Sequence, residues 1–92
     1  MMNEPQIVQD KVSVIIKHPT PCPLDYDVLM AYDAYEENVG LDFGSYGARG
    51  QHFFLSPKEA RAYKTEQKEN IVQWDSLPKA TQKAIVSYLN EE

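Results

Sequence analysis

A few side chains in this sequence could do chemistry if the fold brought them together. They are two histidines, His18 and His52, one cysteine, Cys22, and the carboxylates between residues 25 and 42. Cys22 with His18 would form an activated nucleophile, the thiolate attacking and the imidazole holding its proton. The two histidines with Asp25 or Asp27 would form an imidazole and carboxylate donor set for a divalent ion. The chain between them stands against both. Pro19, Pro21 and Pro23 hold the backbone extended and carry His18 away from Cys22. Two carboxylates could share acid–base work, but that needs an inward-facing pair, and nothing in the spacing marks one. The reading is no catalytic residue, no metal ligand, no cofactor and no enzyme. His18 and His52 then read as a surface and a strand histidine, and Cys22 as a small buried side chain.

The glycines of Gly44-x-x-Gly47-x-x-Gly50, with Arg49, could form an N–H-lined nest for an anion. The spacing is not that of a dinucleotide loop. A strand rather than a helix follows, so no helix N-terminus would face a phosphate. A flexible hairpin tip is the expectation.

Charge is distributed more informatively than its total. The net charge is −5, yet no Lys or Arg lies between His18 and Ala48, where Asp25, Asp27, Asp33, Glu36, Glu37 and Asp42 all fall. From Pro57 to Lys83 six bases (Lys58, Arg61, Lys64, Lys68, Lys79, Lys83) face four acids. An acidic middle and a mildly basic helical pair follow. If residues 24–38 are helical, Tyr26, Met30, Asp33 and Glu37 share an outward stripe. Tyr26, Met30, Asp33, Glu36, Glu37 and Asp42 are then the expected partner-binding residues, since aromatic and Met side chains supply contact area and charges steer encounter.

These features point to a small acidic protein-interaction module that binds and inhibits or modulates a larger protein with a basic surface. By class-level analogy, such domains are frequent among phage- and plasmid-encoded inhibitors of host or defence nucleic-acid machinery. The alternative is a small nucleic-acid-binding or transcription-regulating domain using the 57–90 helical pair and the Arg49 loop. Direct nucleic-acid binding is disfavoured, because such footprints come with net positive charge.

The elements that must position these residues begin with the clearest one. Ser56-Pro57-Lys58-Glu59 is a capping box with proline in the first turn, so a helix starts at Pro57 and is expected to run to about Trp74. Ser76-Leu77-Pro78 starts another, from about Leu77 to Asn90. Residues 1–6 are polar and expected to be loose. Ile7 to Lys17 reads as a strand, best from Lys11, where Val12, Val14 and Ile16 alternate with polar residues. Ile15 breaks that alternation, so a second face is at least partly covered. The prolines of 18–23 make a stiff connector. Residues 24–38 suit a helix by the recurrence of Val28, Tyr32, Tyr35 and Val39, although so many tyrosines also suit a strand. Residues 39–43 and 51–55 flank the glycine-rich stretch as a hairpin.

The whole is one domain, residues 1–92, of α+β class. A small antiparallel sheet of about three strands packs against helices in the order β-α-β-β-α-α. No signal peptide or apolar run of membrane-spanning length is visible. The lone cysteine allows no intrachain disulfide, so the chain reads as cytoplasmic.

Overall fold

The computed structural model describes residues 4–18, 26–31, 38–44 and 46–91. Among them a short helix, α1 (Gln6–Lys11), leads directly into strand β1 (Val12–Lys17). Strands β2 (Tyr26–Met30), β3 (Asn38–Phe43) and β4 (Arg49–Leu55) follow, then helix α2 (Pro57–Glu66). A two-residue strand, β5 (Ile71–Val72), sits between short 3-10 turns at Lys68–Asn70 and Trp74–Ser76, and helix α3 (Lys79–Glu91) ends the described chain. Every strand pair is antiparallel, and the order across the sheet is β4-β3-β2-β1-β5. The α+β class and the antiparallel sheet are as expected. The described sheet has five strands rather than about three, and the element order differs.

The largest correction concerns residues 24–38. Tyr26 to Met30 form the central strand and not a helix, and all five residues are buried. A strand covered on both faces carries apolar residues on both, so it loses the alternation that marks a half-buried one. Tyr26, Val28 and Met30 face a core built with Val8, Ile15, Leu41, Phe43, Ile85 and Leu89, beneath α1 and α3. Asp27 and Leu29 face the other way, toward α2. Residues 32–37, the rest of the expected helix, lie outside the described residues, as do Cys22 and Pro19 to Pro23 of the connector.

Two further boundaries move for tertiary reasons. Residues 7–11 turn as helix α1 rather than extending the strand, with the Val8 and Gln9 amides donating to the Pro5 carbonyl and Val8 buried in the core. Helix α2 stops at Glu66, well short of Trp74, because Ile71 and Val72 pair with Ile16 and Ile15 along the open edge of β1. β-branched residues suit that edge better than a continued helix.

Locally encoded features stand as expected. Ser56 Oγ accepts from the Glu59 amide at 3.1 Å, and the Glu59 carboxylate accepts from the Ser56 amide at 3.0 Å, closing the capping box. The β3–β4 hairpin closes through the Gly44 amide donating to the Ala48 carbonyl, with Gly47 at φ +85°. That backbone conformation favours glycine. Ile15 and Ile16 are both buried, one on each face, as the broken alternation implied.

Candidate functional site

The β2–β3 register places Asp27 directly opposite Asp42, so two carboxylates share one face of the sheet. Asp27 is also paired with Ile16 of β1, which puts it at the centre of the sheet. His18 follows the last residue of β1 and returns over this point, its Nε2 3.0 Å from Asp27 Oδ1. From α2, Tyr63 donates its hydroxyl to the other oxygen, Oδ2. The Asp27 side chain is 4% exposed, whereas His18 and Asp42 are only part-buried.

Phe53 and Leu55 of β4 complete an open hollow of about 340 Å3 around His18, Asp27, Asp42 and Tyr63. The Phe53 ring lies over Gly40, its cross-strand partner, where an added Cβ would stand 2.1 Å from Phe53 Cζ. Gly40 thus provides the space that seats one wall of the hollow.

The carboxylates are electrostatically unequal. Burial opposes ionisation of Asp27. The hydrogen bonds from Asp42, Tyr63 and His18, with the charge of His18, outweigh it and hold its carboxyl below the usual value. Asp42 is pushed up to about 7 by burial, by its hydrogen bond to Asp27 and by repulsion from Asp27, partly offset by His18. Like charges facing each other across two strands disfavour double ionisation, and Asp42 is the carboxyl that is harder to ionise. Burial, the bond to Asp27 and the surrounding carboxylates raise the Tyr63 phenol, which stays protonated as a donor.

The expected site residues scatter differently. Asp42 joins the cluster. Tyr26 and Met30 are 5% and 0% exposed, so the outward Tyr/Met stripe does not form; both belong to the core, because their segment is a central strand and not a surface helix. Asp33, Glu36 and Glu37 lie outside the described residues, as does Asp25.

His52 points away from His18 and bonds the Tyr88 hydroxyl at 2.6 Å. Arg49 pairs with Glu91 at 3.0 Å and lies over the Tyr88 ring, which ties it to α3. Lys64 donates to Ser13 Oγ at 2.9 Å, while Lys58, Arg61 and Lys68 are exposed.

Sequence reasoning missed the pairing of Asp27 with Asp42, and Tyr63 with it. One signal was present, a single carboxylate inside the run Tyr26-Asp27-Val28-Leu29-Met30. A charge in an otherwise apolar strand needs partners.

Two large apolar side chains stand exposed elsewhere. Phe54 is 65% exposed and Tyr46, at the tip of the β3–β4 hairpin, is 95% exposed. Phe54 lies in β4 and Tyr46 in the turn before it, and no strand pairs with the outer side of β4 among the described residues. No family model, curated protein sequence or solved structure matches this chain.

Proposed function

We propose that the protein is a small acidic interaction module that binds a larger protein and modulates or blocks it, and that the β3–β4 hairpin is its docking surface. The observation that carries this is the outer edge of β4, unpaired among the described residues, seven residues long and bearing Phe54. An unpaired edge offers a row of amide and carbonyl groups, which soluble proteins usually blunt with Lys, Pro or very short strands. The opposite edge obeys that rule, since β5 has two residues. β4 contains neither Lys nor Pro, and it is not short. An extended segment of the partner adding to β4 would satisfy its main chain, with Phe54 and Tyr46 supplying contact area. The net charge of −5 favours a basic partner by steering its approach. The nucleic-acid reading has less support, since Arg49 is held by Glu91 and Lys64 by Ser13.

The test starts from affinity capture and mass spectrometry to name the partner, then measures binding rates with variants. Phe54→Lys should speed dissociation, weakening binding roughly tenfold or more if Phe54 is an anchor. Reversing Asp33 and Glu37 to Lys should slow association and flatten its salt dependence. Reversing the exposed Lys58 and Arg61 to Glu should leave dissociation unchanged. Loss with the Lys58/Arg61 pair and full retention with Phe54→Lys would overturn this reading in favour of the nucleic-acid one.

A further inference from the structure

We propose that His18, Asp27 and Asp42 form a binding site for one divalent metal ion of the zinc class. The site is independent of the β4 edge and of the interaction reading. One ligand atom from each residue lies within 4.8 Å of the others, and among the described residues no second such group of His, Cys, Asp or Glu occurs.

One of the three ligand spacings already has the value an ion requires, and the Asp42 oxygen lies within 4.8 Å of both other ligand atoms. Ligands about 2.0–2.2 Å from zinc stand roughly 3.0–3.5 Å apart at tetrahedral or octahedral angles. His18 Nε2 and Asp27 Oδ1 are 3.0 Å apart. Asp27 and Asp42 come from β2 and β3, adjacent strands whose register fixes their relative positions, and His18 from the residue that follows β1.

Three features of the surroundings fit the same assignment. Carboxylates directly opposite on neighbouring strands repel when both are ionised, and a cation between them turns that cost into attraction. Tyr63 donates to the Asp27 oxygen that His18 does not approach, orienting the carboxylate as outer-shell partners of metal ligands do. The hollow opens beside Phe53 and Leu55, so three protein ligands leave a coordination position facing a space of about 340 Å3.

The donor set selects the metal. An imidazole with two carboxylates suits zinc or manganese and is poorly matched to a soft ion that wants thiolate. Magnesium prefers oxygen ligands alone and keeps its waters, so a site built on an imidazole disfavours it. The hollows beside Trp74 are lined by no comparable set.

The test uses the full chain, stripped of metal with a chelator and then titrated with zinc chloride by calorimetry. One ion per chain, with a rise in unfolding temperature, is expected. His18→Gln and Asp42→Asn should each weaken zinc binding roughly a hundredfold, and Tyr63→Phe roughly tenfold, since outer-shell partners typically cost 10–100-fold.

Asparagine matches the shape of the protonated Asp42 carboxyl, so Asp42→Asn should leave the metal-free fold intact by circular dichroism, and its loss of binding is not a loss of folding. His52→Gln, away from the cluster, should bind zinc as the parent does. Absence of saturable binding would overturn the proposal, as would equal affinity in the parent and Asp42→Asn. Competition by magnesium at equal concentration would overturn the zinc-class assignment.

Discussion

Asp27 and Asp42 have the same chemistry and opposite behaviour, because one is enclosed by donors and the other is desolvated beside its partner's charge. With metal removed, a carbon NMR titration should show the Asp42 carboxyl titrating near 7, and Asp27→Asn should bring it down toward the ordinary value of 3.8. The sign of the stability effect follows. The folded chain holds the Asp42 proton more tightly than the unfolded chain, so its contribution is complete below the ordinary value and is lost as pH rises through about 7. Asp27 works in the opposite sense. Its lowered pKa contributes stability above the ordinary value that is lost as pH falls through the folded one. In chelator, the urea midpoint should therefore fall between about pH 5 and about pH 8, and fall less in Asp42→Asn. Equal slopes in the two proteins would mean that Asp42 is not the harder carboxyl to ionise.

At the scale of elements, the hairpin and the α2 cap are written in adjacent residues. The Ser56 hydroxyl and the Glu59 carboxylate satisfy each other's amides without help from the rest of the chain, and the bond from Ser56 holds Glu59 below its usual pKa. Ser56→Ala should cost about 1 kcal/mol in urea denaturation, the usual cost of a lost cap. An unchanged midpoint would mean that tertiary contacts alone hold the start of α2. The far end of that helix is a different case. Ile71 and Val72 leave it to close the edge of β1, and nothing within ten residues of them announces that strand.

The whole molecule depends on β2, since among the described strands it alone is shown buried along its entire length, and it lies in the sheet between α2 and the α1 and α3 layer. Leu29 is 0% exposed and lies outside the main core cluster, on the face shared with Asp27. Leu29→Ala should cost about 2–5 kcal/mol, measurable as a shift in the urea midpoint. A protein of this size has only about 5–15 kcal/mol in total. A cost within 0.5 kcal/mol, the usual range for surface changes, would show that the α2 face contributes little to stability.

By itself the sequence determined what neighbouring residues settle among themselves: the capping box, the glycine turn, the strand ending at Lys17 and the α+β class. Each rests on a period or a short-range hydrogen bond, and such signals survive without the rest of the fold. Tertiary structure alone decided that Tyr26 to Met30 are a central strand, because burial on both faces erases the alternation by which a strand is recognised. It also decided the site. Asp27 and Asp42 are fifteen positions apart, and only the β2–β3 register sets them opposite each other, with His18 and Tyr63 brought in by different elements. A one-residue slip in that register would turn one carboxylate to the other face. Long-range pairing of that kind is fixed by the packing of the whole sheet, and no local run of residues encodes it.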